Sequence, residues 1–169
     1  MLNKHEGGIM LELINYNDKY FDEIDKEEKK YWGEWDNTSS ALTNKEYDVF
    51  KIVLFDGLYA GHLYGKLIGD LFYFDVILIK EEFRNKKIGT FLLENLIIEL
   101  KNINCKNIIT TAEYNKQGIL LLEPLLTKLG FNKIIDINGF WGSMYPNVYC
   151  DECNSLPCKC KAAIFMKSI

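Results

Sequence analysis

The chain has 169 residues, of which 48% are hydrophobic and 26% are charged, so it carries enough apolar material for a folded core. Its net charge of −4 argues against general nucleic-acid binding, because neutralising phosphates requires clustered cations. No apolar run approaches the ~20 residues that cross a bilayer, and residues 1–8 lack the apolar centre of a signal peptide. We therefore expect a single domain in the cytoplasm, with neither nucleic acid nor membrane as a partner.

The N-terminal part of the chain predicts one strand and two helices. Residues 1–8 show no pattern, and residues 10–14 alternate like a short strand. Residues 17–30 are charged and carry apolar side chains at helical spacing, which predicts an amphipathic helix. A run of cap-forming residues then precedes a second short helix predicted at residues 41–47.

Three β-rich segments then predict an antiparallel meander. They are residues 47–55, 58–67 and 71–79. Asp56-Gly57 separates the first two and is a strong hairpin signal. The short connections favour antiparallel neighbours.

The pattern changes after residue 79 to a helix and a further strand. Apolar residues from Ile88 to Leu100 recur at helical spacing, and residues 107–111 predict a short strand. A strand, a helix and a strand in this order predict a βαβ unit whose two strands run parallel. Another helix is predicted at residues 119–129, interrupted or restarted at Pro124. Strands predicted at residues 131–137 and 162–167 complete the chain.

The charged turn inside the stretch 75–93 carries the clearest chemical signal. A buried strand leads through this turn to a helix whose first turn contains Gly89. A helix N-terminus offers unpaired N–H groups and partial positive charge, and Arg84, Lys86 and Lys87 add full charges. These features predict a phosphate site. The alternative is a solvated turn without a ligand.

The stretch resembles the coenzyme A loop of the GNAT superfamily of N-acetyltransferases, whose pattern is Gln/Arg-x-x-Gly-x-Gly/Ala. Arg84 matches the first position and Gly89 the last, whereas Lys87 replaces the middle glycine. The order of elements and a later Lys-Leu-Gly-Phe at residues 128–131 also match the family. By order of elements, the resemblance covers residues 10–139.

The resemblance implies an α/β (α+β) fold with a mixed sheet, in which the antiparallel meander is followed by the parallel βαβ pair and helices cover both faces. It also implies acetyl-CoA as co-substrate, with the pantetheine arm along the backbone of the third meander strand and the pyrophosphate on the loop. The expected contacts are Ile77, Leu78, Ile79, Arg84, Asn85, Lys86, Lys87, Ile88, Gly89, Thr90 and Asn115. A backbone N–H of the strand would polarise the thioester carbonyl.

Attack by an amine requires a base, and family members often place a carboxylate on the strand before the loop. Asp75 is the only carboxylate there, and burial among apolar neighbours would raise its pKa into a useful range. A strand-end carboxylate that reaches solvent is the alternative. Glu113 competes for the role, and His62 is a third candidate or a structural histidine.

Two further roles follow from the resemblance. Leu126 stands where the family frequently has the tyrosine that protonates the departing thiolate, so Tyr114 or another residue takes this role, or the thiolate leaves unprotonated. The aromatic side chains of Tyr31, Trp32 and Trp35 occupy the acceptor-binding segment. Packing in the core explains them equally well.

Four cysteines within eleven residues form a separate signal in the connection before the last strand. Cys150, Cys153, Cys158 and Cys160 supply the thiolates that suit tetrahedral zinc, with no position left open for catalysis. A disulfide or redox-sensing pair and free thiols are the alternatives. The single predicted domain therefore comprises a main fold at residues 10–139, a cysteine-rich connection at 140–161 and a final strand at 162–167.

The sequence as a whole predicts an N-acetyltransferase in which an amine attacks acetyl-CoA directly in a ternary complex. The acceptor is a small-molecule or peptide amine. A non-catalytic module that binds coenzyme A, with the cysteines serving partner contact, is the alternative. The chain has only two histidines, His5 and His62, which argues against a zinc hydrolase. The oligomeric state is not determined, and a homodimer stays open.

Overall fold

A computed structural model describes residues 2–6, 8–33 and 47–169. Two compact units make up the chain, Met1–Lys106 and Asn107–Ile169. None of the helices in the described part of the chain combines the length and the hydrophobicity that crossing a bilayer requires. The single domain and the cytoplasmic location stay predictions.

The described residues of the first unit form five strands and two helices. They are β1 (Leu2–Glu6), β2 (Ile9–Asn15), α1 (Phe21–Trp32), β3 (Val49–Phe55), β4 (Leu58–Ile68), β5 (Leu71–Ile79) and α2 (Ile88–Asn102). The strands pair antiparallel in the order of the chain. The predicted meander at β3, β4 and β5 is therefore confirmed, with Asp56 and Gly57 both at positive φ in the first turn. The helix predicted at residues 41–47 falls largely on residues 34–46, outside the described part.

Helix α1 packs on the sheet through one apolar face. Ile24 is fully buried, and it belongs to a cluster with Tyr20, Ile52, Leu54 and Tyr59. The buried face of α2 repeats every three or four residues, as predicted. It consists of Ile88, Phe91, Leu92, Leu93, Leu96, Ile97 and Leu100. These two faces give the first unit its core.

The second unit has β8 (Ala162–Ser168) between β6 (Asn107–Glu113) and β7 (Asn132–Ile137), and both pairings are antiparallel. It also contains α3 (Glu123–Lys128) and α4 (Phe140–Met144). The longer helix predicted at residues 119–129 is wrong in extent. Pro124 lies in the first turn of α3, where its missing N–H costs nothing, so the helix starts there.

Two elements were absent from the sequence prediction. Residues 2–6 form β1, although their sequence has no strand pattern, because an edge strand needs only a neighbour's free backbone groups. Helix α4 has five residues, and its N-cap residue, Gly139, adopts φ 64°. Neither element has enough residues to produce a recognisable period.

Candidate functional site

The loop between β5 and α2 has the geometry of an anion site. A short 3₁₀ turn at Glu81–Phe83 leads to Arg84, and α2 begins at Ile88. Phe91 N–H donates to Lys87 C=O at 3.0 Å, which is the first hydrogen bond of the helix. The N–H groups of the preceding turn have no carbonyl within the helix to pair with. No acidic residue occupies this turn, and no side chain caps it.

Cationic side chains surround this helix end. Arg84 is exposed, and its Nε donates to Ile79 C=O at 3.0 Å, while its guanidinium lies 5.0 Å from the centre of the Tyr31 ring. Lys86 Nζ lies 5.0 Å from the centre of the Phe55 ring. These contacts involve the charged groups themselves. Both residues precede α2 directly in the chain, so they add positive charge near the helix N-terminus, where an anion is stabilised.

Acidic residues at the start of the loop do not cancel this charge. Glu81 accepts from Lys30 at 3.4 Å, and Glu82 accepts from Lys80 at 3.1 Å. A hydrogen bond from the backbone and the ion pair with Lys80 hold the pKa of Glu82 below its usual range. Both carboxylates thus have lysine partners of their own.

Lys87, which replaces the middle glycine of the family pattern, adopts a left-handed backbone conformation. Its φ and ψ are 61° and 12°, and Asn85 also has φ 61°. A left-handed conformation costs a residue with a side chain roughly 1–2 kcal/mol. Lysine at this position therefore carries an energetic cost that glycine would avoid.

Asp75 lies at an irregularity in β5. Tyr64 pairs with Val76 and Gly65 pairs with Phe74, so Asp75 is the extra residue of a β-bulge. Its carboxylate is half-buried, and it accepts from Tyr47 Oη at 3.1 Å and from Tyr73 Oη at 3.2 Å. The bulge and its tyrosine partners did not follow from the sequence.

The segment of β5 that was predicted to contact the cofactor directly follows this bulge. Ile77, Leu78 and Ile79 pair with β4, and Leu78 is buried whereas the two isoleucines are half-buried. Glycine at position 61 allows this pairing, because a Cβ there would lie 2.3 Å from Leu78 C=O. Because Gly61 has no side chain, β4 and β5 pair closely up to the start of the loop.

Glu113 ends β6 in the second unit, and Tyr114 directly follows it. Glu113 keeps more than a third of its surface exposed, but desolvation of its carboxyl group, followed by the nearby charge of Glu152, raises its pKa. Tyr114 Oη donates to Asp136 at 2.7 Å. The hydroxyl predicted as a proton donor to the thiolate thus already has a carboxylate acceptor.

Asn115 and Leu126 both have structural roles in the second unit. Asn115 Oδ1 accepts from the N–H groups of Gln117 at 3.0 Å and of Ile119 at 2.9 Å, and so closes the turn after β6. Leu126 is fully buried in α3. A side chain in this position supplies packing, and leucine has no proton to donate.

A buried polar group that sequence reasoning missed joins α1 to β4. Glu28 accepts from Tyr64 Oη at 2.9 Å, and its other oxygen lies 2.7 Å from His62 Nε2. Tyr59 Oη lies 2.6 Å from His62 Nδ1. We call these four residues the buried network. Burial, followed by the charge of Glu28, raises the pKa of both tyrosines.

The structure brings the four C-terminal cysteines together. The sulfur atoms of Cys150, Cys153, Cys158 and Cys160 all lie within 4.8 Å of one another. We call this group the thiol cluster. Cys105 lies in the other unit, where its thiol donates to Asp70 C=O at 3.5 Å.

The first unit also has an open cleft of about 620 Å³ near the C-terminal end of α2. Its lining includes Tyr16, Phe50, Lys51, Glu99 and Ile103. No predicted catalytic, cofactor or metal residue lines it. The loop geometry, rather than this volume, therefore defines the candidate site.

Comparison with a family model decides the family. Residues 11–131 match the model of the acetyltransferase (GNAT) family, which is well over half of the chain. The chain belongs to the GNAT family. The match confirms the resemblance on which the cofactor loop was predicted, and it makes the protein an acyltransferase by family. It ends at Phe131, so the thiol cluster lies beyond it.

Solved structures with a similar fold include GNAT enzymes with different acceptors. The ribosomal-protein-S18-alanine N-acetyltransferase from Escherichia coli has 16% identity and a TM-score of 0.73, covering 95% of this chain and 94% of that one. Arabidopsis thaliana NAA60, in complex with a bisubstrate analogue, has 10% identity and a TM-score of 0.75, covering 94% and 98%. An aminoglycoside 6'-N-acetyltransferase complexed with coenzyme A has 12% identity and a TM-score of 0.71, covering 93% and 96%.

These likenesses confirm the predicted fold class, a mixed α/β GNAT fold. The search of curated proteins found no match. At these identities the solved structures establish the fold of this GNAT protein and leave its acceptor open.

Proposed function

We propose that this GNAT protein transfers an acetyl group from acetyl-CoA to the amine of a small molecule or peptide, with both substrates bound at once. The observation that carries the proposal is the uncapped N-terminus of α2, flanked by Arg84, Lys86 and Lys87. Unpaired N–H groups and positive charge together suit a pyrophosphate. The family match supports acetyl-CoA as the molecule that carries it.

The remaining proposed cofactor contacts lie in β5, in the same loop and in the turn after β6. The pantetheine arm would follow the backbone at Ile77, Leu78 and Ile79, and one of their N–H groups would polarise the thioester carbonyl. Asn85, Ile88, Gly89 and Thr90 would complete the pyrophosphate contacts in the loop. Asn115, which closes the turn after β6, is the proposed contact in the second unit.

The chemistry requires one proton to leave the acceptor. The lone pair of the amine nitrogen attacks the thioester carbon, the C–S bond breaks, and the sulfur departs with the bonding pair as thiolate. We assign removal of the amine proton to Asp75, directly or through water, because the bulge turns this carboxylate out of the regular ladder. Glu113 is the competing base, since its raised pKa makes it a better proton acceptor near neutral pH.

The thiolate does not need a protein acid. A thiol has a pKa of about 8.5, so the thiolate is a stable leaving group near neutral pH. Leu126 has no proton to give, and Tyr114 already donates to Asp136. We therefore expect Tyr114→Phe to retain most of the turnover, and Asp75→Asn to lose roughly 100-fold or more in kcat.

Calorimetric titration with acetyl-CoA tests the cofactor site. We expect micromolar binding by the wild type and none by a variant that combines Arg84→Glu with Gly89→Trp. Lys101→Glu is the matched control, because it makes the same charge reversal at an exposed position in the last turn of the same helix. Absence of binding by folded wild type would contradict the proposal, as would equal weakening by the control.

The alternative is a non-catalytic module that binds coenzyme A. It rests on Leu126, which stands where the family frequently has a tyrosine, and on the Tyr114 hydroxyl, which already donates to Asp136. Chromatographic detection of free coenzyme A with a panel of small amines and peptides separates the two functions. Release of coenzyme A faster than the hydrolysis of acetyl-CoA, with any acceptor, supports the enzyme. Tight binding of acetyl-CoA without such release supports the module.

A further inference from the structure

The connection between β7 and β8 brings four cysteine sulfur atoms close enough together to bind one metal ion. Cys150 Sγ lies 3.7 Å from Cys160 Sγ, and Cys153 Sγ lies 3.9 Å from Cys158 Sγ. These pairs share no residue, so they correspond to opposite edges of a tetrahedron. With Zn–S bonds of ~2.3 Å, a tetrahedron has edges of ~3.8 Å. The two separations bracket this value.

The local backbone supports the sulfurs in this arrangement. Cys150 and Ser155 exchange two backbone hydrogen bonds, of 3.1 Å and 3.3 Å, which close the segment between them. Lys159 N–H donates to Cys153 Sγ and Cys160 N–H donates to Cys158 Sγ, both at 3.3 Å. Such N–H donors stabilise a sulfur that carries negative charge and fix its direction.

Burial strengthens the attraction between deprotonated cysteine sulfurs and a cation, because little water screens their charges. Cys150 is 5% exposed and Cys158 is 3% exposed, so two of the four sulfurs are removed from water. Four thiol groups are poor hydrogen-bond partners for one another, and four thiolates repel. A single cation at their centre satisfies all four at once, and soft thiolate ligands in tetrahedral geometry favour zinc over magnesium or calcium.

We propose that the thiol cluster binds one zinc ion as a structural site that fixes the β7–β8 connection. All four positions around the ion are filled by sulfur, so no position is left for substrate or water. The site would order the connection locally, because it ties Cys150 to Cys160 across the segment between them.

Helix α4 would be ordered together with the site. A Cβ at Gly142 would lie 2.1 Å from Cys158 C=O, so the backbone of α4 rests directly on a proposed ligand residue. Loss of zinc should therefore loosen α4 as well as residues 150–160. Amide hydrogen exchange can detect this, with β3, β4 and β5 as the internal reference.

Metal analysis of the purified wild type is the first test. We expect one zinc per chain, and fewer than about a tenth as much in the double variant Cys158→Ser, Cys160→Ser. Cys105→Ser is the matched control, since it removes the one cysteine outside the cluster and should retain the zinc. Zinc-free wild type with reduced thiols would overturn the proposal, as would disulfides among the four cysteines or iron in place of zinc.

A second measurement does not depend on the variants folding. Replacing the metal of the wild type with Co²⁺ should give the intense visible bands of tetrahedral thiolate coordination, and adding zinc should remove them. Weak bands of octahedral Co²⁺ would overturn the assignment. Acetyl-CoA binding is measured separately, so failure of the zinc site and failure of the acetyltransferase proposal remain distinguishable.

Discussion

The buried network and the thiol cluster are both groups of titratable side chains, but they are built in opposite ways. The network combines a carboxylate, an imidazole and two hydroxyls, and each finds a partner within 3 Å. The thiol cluster repeats one group four times. Complementary groups satisfy one another through hydrogen bonds and need no ligand. Four thiolates repel one another, and a cation between them removes this repulsion.

The two kinds of polar cluster indicate different functions. The network stabilises the packing of α1 on β4, and its polar atoms are already paired. The cluster has ligand atoms of a single kind and so points to a bound cation.

Removing the carboxylate of the network should cause the largest loss of stability. Glu28→Ala leaves His62 Nε2 and Tyr64 Oη buried without this partner, which should cost about 3–5 kcal/mol in urea unfolding. Glu23→Ala, at an exposed position in the same helix, should stay within about 0.5 kcal/mol. The zinc content should not change in either variant. A loss below about 1 kcal/mol for Glu28→Ala would show that the network does not hold the helix.

Adding a side chain at Gly142, where α4 contacts the backbone of Cys158, should have an intermediate effect on stability. Gly142→Ala places a Cβ against the backbone of Cys158, and the forced shift should cost roughly 1–3 kcal/mol and speed the loss of zinc to a chelator. Ser143→Ala is the control, because this side chain is exposed and contacts only its own helix turn. Equal rates of zinc loss in the two variants would separate α4 from the metal site.

The exposed ion pairs of Asp136, in β7, should contribute least. The hydrogen bond from Tyr114, followed by the contact with Lys161, holds the pKa of Asp136 below its usual range. A lowered pKa in the folded state stabilises the protein above the unfolded value of about 3.9, and this stabilisation is lost as pH falls through the folded pKa.

The variant Asp136→Asn isolates this contribution. Urea unfolding should show the wild type to be slightly more stable than the variant near neutral pH, and the difference should vanish in acid. Lys133→Met serves as the control, because its contact with Asp136 is long, at 4.0 Å. A difference that grows as pH falls would contradict the assigned direction.

The parts of the site that the sequence predicted are the local ones. Arg84, Gly89 and the helix that follows are adjacent in the chain, so their order alone places the charges beside the helix end. The spacing of the four cysteines likewise predicted that they would meet. Glycine-like angles at Lys87 could not be predicted, because local sterics disfavour them for lysine and the turn imposes them.

The parts that the sequence missed depend on register and packing. The bulge at Asp75 arises from how β5 pairs with β4, and a shift of one residue would move this carboxylate to the other face. Tyr47, which donates to Asp75, comes from a segment 28 residues earlier in the chain. Tyr47 and Asp75 belong to no common sequence motif, so the sequence does not show that they meet.

The sequence alone determined the meander, the helix after the loop, the family and the position of the four cysteines, because each rests on periodicity or on residues close in the chain. Tertiary structure decided that Glu28 faces His62 across 34 positions, that Tyr114 donates to Asp136, and that Asp75 lies on a bulge. These contacts form only when helices and strands pack, and packing selects partners by shape and burial, which single-sequence patterns do not record.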